Sequence, residues 1–178
     1  SLCALALSFP VASVLVNLKE NTFTQGVYFV AGFWLGFLTN LVLALLAAWL
    51  LRALFSVLGL PVISSSWVAF FIMLAFACSV YGVWNAFHPR VREITVRIPN
   101  LPAEWVGKKV VQLSDVHLGS IYREAFLRSV VYQVNAVHPE AVFITGDLFD
   151  GMDGFLDTLL QPIDSIEAPY GVFFITGN

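Results

Sequence analysis

The chain has 178 residues, 58% of them hydrophobic and 12% charged, with a net charge of -3, and its mean hydropathy is +0.81. A soluble domain carries about 25% charged residues, so a wholly soluble protein is excluded. The negative net charge and the lack of a basic stripe interleaved with aromatics give no case for nucleic acid as a partner.

Charge is spread unevenly. Residues 1–88 hold only Lys19, Glu20 and Arg52, whereas residues 90–178 have the composition of a soluble domain. This divides the chain into a membrane region, 1–88, and a soluble region, 90–178. Cys3 and Cys78 both lie in apolar runs and read as small core or lipid-facing residues, not as a disulfide or a metal pair.

Leu2 to Leu18 is an apolar run near the lower limit for a membrane span, with Pro10 expected to kink it. A transmembrane helix and a signal peptide are the two readings, and the lack of a basic segment before it favours the helix. Lys19 to Gln25 is a polar loop. Val27 to Leu51 is charge-free and long enough to span with tilt. Gly32, Gly36 and Asn40 recur on one face, either as a small-residue packing seam or as glycines ordinary for a membrane helix. Asn40, deep in the span, is expected to face a neighbouring helix. Arg52 to Ser66 is a connection broken by Gly59 and Pro61, apolar enough to lie in the interface. Trp67 to Phe87 is a third span, with Trp67 at one end and Tyr81 and Trp84 at the other suiting aromatic belts. The expected helices are thus about 2–18, 27–51 and 67–87. Lys19, Arg90, Arg92, Arg97, Lys108 and Lys109 fall on one side and Arg52 on the other, so the soluble region is expected in the cytoplasm.

In the soluble region Ile94, Val96 and Ile98 alternate with Thr95 and Arg97, predicting an edge strand closed by Pro99 and Pro102. Lys108 and Lys109 precede the next strand, either solvated there or touching anionic head groups. Val110, Val111 and Leu113 predict a buried strand that ends in Asp115 and His117. Tyr122 to Val137 has helical periodicity, with Leu127, Val130, Val131 and Val134 on its apolar face. His138 is expected as a surface residue at that helix's end. Val142 to Asp147 and Val172 to Asn178 are two more apolar runs, and they share Phe-Ile-Thr-Gly followed by an oxygen donor. Between them, Asp153 is expected to cap a helix carrying Phe155, Leu156, Leu159 and Leu160, and Pro162 to start a further short turn.

All three strands bury an apolar run, turn, and present Asp115, Asp147 or Asn178. Intervening helical patterns imply parallel neighbours. Parallel strands stand about 4.8 Å apart and end on one side. The donors then converge on one sheet edge, where α/β sheets place ligands. An Asp and a His one residue apart suit a hard or borderline metal, and the edge can serve metal ions roughly 3.5–4 Å apart.

These residues resemble the calcineurin-like metallophosphoesterases. Asp115-x-His117, Gly146-Asp147 with Asp150 close behind, and Gly177-Asn178 are similar to the family's first three motifs. The Ser-Asp-x-His-Leu-Gly wording resembles its membrane-associated branch. The likeness covers residues 90–178, stops at the Asn of Gly-Asn-His, and lacks the two later histidine motifs. The chain, starting at Ser1 and stopping at Asn178, is read as a segment of a longer protein.

The resemblance implies N-terminal transmembrane helices followed by the first half of an α/β, four-layer sandwich-type phosphoesterase domain. It implies two divalent ions, Mn or Fe, with Zn also admitted by the ligand types. Asp115, His117, Asp147 and Asn178 would be metal ligands, Asp147 bridging, with Asp150 bonding a ligand or its water. The histidine that assists the leaving group would follow Asn178, outside these residues. The activity implied is hydrolysis of a phosphomonoester, diester or pyrophosphate, lipid-linked substrates included, from a plasma or inner membrane. The bilayer and a phosphate-containing substrate are the expected partners. Residues 1–178 alone are expected to bind metal weakly and turn little over. A non-catalytic membrane protein with a degenerate domain is the alternative.

Overall fold

A computed structural model describes residues 7–61, 65–150 and 160–176. Two units emerge from the contacts, Ser1–His88 and Pro89–Asn178.

The first unit is helical. Helix α1 spans Ser8–Leu18. Pro10 falls in the first turn of the helix as described, where its missing N–H leaves no intrahelical bond unmade. Helix α2 spans Thr22–Val57. It opens with a capping box. Asn21 Oδ1 accepts from the Phe23 and Thr24 amides at 2.9 and 3.0 Å, and Thr24 Oγ1 accepts from the Asn21 amide at 3.0 Å. Its other end is a Schellman stop. Gly59 is left-handed at φ 66, its amide donates to Ser56 O at 3.3 Å, and Leu60 N donates to Phe55 O at 2.9 Å. The expected span 27–51 therefore lies inside a longer helix. Arg52 to Val57 continue it because nothing before Gly59 breaks it. The helix has 36 residues, about 54 Å at about 1.5 Å each. Helix α3 spans Ser65–Ala86. Both α2 and α3 are long and apolar enough to cross a membrane. Many of their apolar side chains, Leu43, Leu46, Trp49 and Met73 among them, point outward, as lipid-facing surfaces do.

Gly32, Gly36 and Asn40 do not form one close seam. Gly32 lies under the Phe9 ring of α1, which also stacks on Tyr28 at 5.3 Å, while Gly36 has no neighbour within 4 Å of a Cβ position. Asn40 does meet a neighbouring helix. Its Nδ2 donates to Ser79 Oγ at 2.9 Å, and the buried Ser79 hydroxyl donates to Ala75 O at 2.8 Å. Phe76 of α3 sits edge-on to Phe33 and Phe37 of α2 nearby. Interhelical polar pairs in membranes contribute about 0.6 kcal/mol on average. Asn40→Ala should lower the stability of the α2–α3 pair by about that much. Unfolding of the reconstituted protein would read this, and a loss above about 2 kcal/mol would contradict it. At the end of α3, Tyr81, Trp84 and His88 line up, with Trp84 stacked on His88 at 4.5 Å, as an interfacial aromatic belt requires.

The second unit is a parallel sheet backed by a helix. Strands β1 (Val110–Leu113), β2 (Ala141–Thr145) and β3 (Val172–Ile175) lie in that order and all run parallel. Helix α4 (Glu124–Ala136) makes the first crossover. A 3-10 turn, Gln161–Ser165, lies on the second, with Pro162 in its first turn. The helix expected over 155–160 falls largely outside the described residues. The apolar face of α4 is the one its periodicity predicts: Leu127, Val130, Val131 and Val134 are buried. They form the core with Leu118, Val142, Ile144 and Leu148, and Val111, Leu113 and Ile163 pack against it. His138 ends the helix, exposed and left-handed at φ 53. Lys108 pairs with Glu140, joining the starts of β1 and β2, and this hydrogen bond raises the Lys108 pKa.

The opposite face of the sheet is open. Phe143 and Phe173 stack there at 5.2 Å while 41% and 50% exposed. The edge strand expected over 94–98 is corrected. Residues 89–98 are not in a ladder, and Ile94, Val96 and Ile98 are exposed. Alternation supplies only a strand's side-chain pattern. A strand also needs a neighbour to bond, and this segment pairs with none of the described strands. The architecture is nonetheless the expected one: long apolar helices followed by a partial α/β region with a small parallel sheet.

Candidate metal centre

Parallel register fixes where the donors arrive. Leu113 lies opposite Ile144, so β1 and β2 run out together and deliver Ser114–His117 and Gly146–Asp147 at the same edge. The two exits are then tied backbone to backbone. His117 N donates to Asp147 O at 3.0 Å, Leu118 N to Leu148 O at 2.8 Å, and Asp150 N to Leu118 O at 2.8 Å. Leu118 pairs with Phe149 in a parallel bridge. Beneath these rungs, buried Leu118 and Leu148 anchor both loops in the core. A Cβ on Gly119 would stand 3.3 Å from Asp150 O and 3.5 Å from Asp150 Cβ, so glycine is what lets the loops approach. Gly146, left-handed at φ 84, donates its amide to Ile175 O at 3.3 Å and so joins the exit of β3 to the same edge.

The candidate ligands themselves hold an unusual backbone. Asp115 has φ 54 and His117 φ 49. Left-handed non-glycine residues cost about 1–3 kcal/mol each and persist where the surroundings enforce them, commonly at ligand sites. Here the left-handed residues alternate around Val116, turning the Asp115 and His117 side chains to one place.

The ligand atoms of Asp115, His117 and Asp147 all lie within 4.8 Å of one another. Donors around one ion at about 2.1 Å stand no more than roughly 4.2 Å apart. A side-chain adjustment of under about 1 Å closes the difference, well inside rotamer freedom. Asp115 and His117 are exposed and Asp147 half-buried. Two carboxylates and an imidazole suit a hard or borderline divalent cation, so the donor set fits such an ion.

Asp150 is not in this group of three; its described part in the site is the backbone rung to Leu118 and the contact with Gly119. Asn178 lies outside the described residues. Three residues absent from the sequence-level candidates surround the site. Ser114 Oγ is in hydrogen-bond reach of the Asp115 carboxylate and lies 2.8 Å from Thr145 O, and Gln112 Nε2 donates to Thr145 Oγ1 at 2.7 Å. The threonine repeated in the two Phe-Ile-Thr-Gly runs was a signal for them. Tyr122, whose carbonyl accepts from Gly119 N at 2.9 Å, packs its ring on Phe126 at 4.5 Å, and burial pushes its hydroxyl pKa up.

Comparison with known proteins gives relatives that match between about half and 60% of the chain. A transmembrane protein with a metallophosphoesterase domain from Danio rerio is 32% identical over 108 residues, 60% of this chain and 25% of that protein. The protein of the same description from Bos taurus is 33% identical over 108 residues, 60% of this chain and 24% of its own length. An uncharacterized metallophosphoesterase of Campylobacter jejuni is 36% identical over 90 residues, 51% of this chain and 23% of that protein. The chain thus spans about a quarter of the length of these relatives. No family model matches it, and no solved structure does.

Proposed function

We propose that this member of the metallophosphoesterase superfamily, related to transmembrane members among others, serves as a membrane-anchored hydrolase of phosphate esters or anhydrides. The observation that carries the reading is the meeting of Asp115, His117 and Asp147 at the ends of two adjacent parallel strands. Divalent ions, manganese or iron first and zinc next, would supply a clamp on the phosphate and an acidified water as nucleophile. The chain's own residues do the rest. His117 offers an imidazole nitrogen. Asp115 offers a carboxylate directed by its left-handed backbone. Asp147, in the loop after β2, has two carboxylate oxygens and would be the residue able to serve both ions. Asn178 would help hold the second ion, and Asp150 would bond a ligand or its water. Two carboxylates close together also bring a negative field that a divalent cation relieves, which favours metal loading before an anionic substrate binds.

The anchor keeps the site near the bilayer and suits lipid-linked phosphates. The basic residues on the Lys19 and Arg90 side favour a soluble unit on the cytoplasmic side of a plasma or inner membrane. Sealed inverted vesicles carrying the protein test chemistry and side together. They expose the cytoplasmic face, and bis(p-nitrophenyl) phosphate does not cross the bilayer. We expect hydrolysis by the whole protein on adding Mn²⁺ outside and none with a chelator, and little turnover by residues 1–178 alone. Hydrolysis confined to right-side-out vesicles would refute the orientation, and none on either side would refute the activity.

A further inference from the structure

Ser114 has no part in the ligand set, yet its hydroxyl stands between the two halves of the site. It meets the Asp115 carboxylate on one side and Thr145 O, at 2.8 Å, on the other. This placement follows from the register: one residue past the Leu113–Ile144 pair, Ser114 faces the last residue of β2. The Thr145 side chain is engaged elsewhere. It accepts from Gln112 Nε2 at 2.7 Å and reaches Leu113 O at 3.4 Å. The Thr145 carbonyl, at the point where the ladder ends, has Ser114 Oγ as its side-chain donor. A serine hydroxyl has one proton and accepts at its lone pairs, so it donates to one oxygen at a time and holds both within its reach.

We infer that Ser114 is a positioning residue: its hydroxyl, held beside the end of β2, donates to the Asp115 carboxylate and so fixes it for the metal. An aspartate side chain on an exposed left-handed turn is otherwise free to rotate away from His117 and Asp147, and that freedom is lost on binding. Groups that hydrogen-bond a metal ligand typically contribute about 10–100-fold to metal affinity. This inference rests on the metal-centre reading above, and the test separates the two.

The test is Mn²⁺ titration of the full chain in lipid nanodiscs, following the loss of the free-ion electron paramagnetic resonance signal, with a thermal melt on each sample. Ser114→Ala should weaken Mn²⁺ binding by about tenfold or more with an unchanged melt. Ser114→Thr, which restores the hydroxyl, should return the affinity to the parent's. A Ser114→Ala affinity equal to the parent's overturns the positioning role and leaves the metal centre standing. A Ser114→Thr variant as weak as Ser114→Ala also overturns it, since the hydroxyl would not be the operative group. A parent chain that binds no Mn²⁺ overturns the metal centre, and the positioning role with it.

Discussion

Asp147→Asn is expected to cut metal affinity by about a hundredfold or more. The reasoning starts from the donor count. Asp115, His117 and Asp147 are the described residues that converge, and Asp147 carries one of the two negative charges among them. Asparagine keeps the size and one oxygen but removes the charge and the second metal-binding oxygen. Loss of a group one step removed from the metal already costs about 10–100-fold, so loss of a direct ligand should reach at least the upper end. The rung between the two loops should survive, because the Asp147 atom that bonds His117 N is its backbone carbonyl, at 3.0 Å. Mn²⁺ titration alongside a melt measures both. An asparagine variant that binds Mn²⁺ like the parent would remove Asp147 from the site. Hydrolysis by inverted vesicles should fall with the affinity.

Leu127→Ala should destabilise the soluble unit by about 2–5 kcal/mol, the usual range for deleting a buried leucine. Leu127 is 1% exposed and lies in the core cluster between α4 and the sheet. Domain stabilities are about 5–15 kcal/mol in total, so this change brings a small sheet close to unfolding. The control is on the same helix. Tyr132 is 77% exposed, and Tyr132→Ala should stay within about 0.5 kcal/mol. Pulse proteolysis of the full chain in denaturant would rank the two. Equal loss from both would mean that α4 does not bury the face described.

Much of this was legible in the sequence, for identifiable reasons. Helix α4 was readable because its burial is one-sided, so Leu127, Val130, Val131 and Val134 repeat at helical spacing. The donors at Asp115 and Asp147 were readable because an apolar strand that stops at a charge must stop at the sheet edge. The parallel order followed from the helical crossover. What stayed hidden depends on neighbours. Ser114 meets Thr145 only once the β1–β2 register is known. The left-handed backbone at Asp115 and His117 is imposed by the rungs to Asp147 and Leu148, which no local pattern announces. Residues 94–98 have strand alternation, but alternation does not supply a partner. The end of α2 was misplaced because apolarity marks the lipid-facing part of a helix, whereas Asn21 and Gly59 mark its hydrogen-bonded ends.

The rungs that continue past the sheet also govern how the site moves. The amides of His117, Leu118 and Asp150 are each bonded across the gap between the two loops, so none is released to solvent by one loop fraying alone. Residues 115–119 and 146–150 therefore breathe as a single cooperative unit, opening together or staying shut together. A cation shared between them would slow hydrogen exchange at all three amides by one common factor. Conversely, a disturbance on the Asp150 side would reach His117 through these backbone rungs.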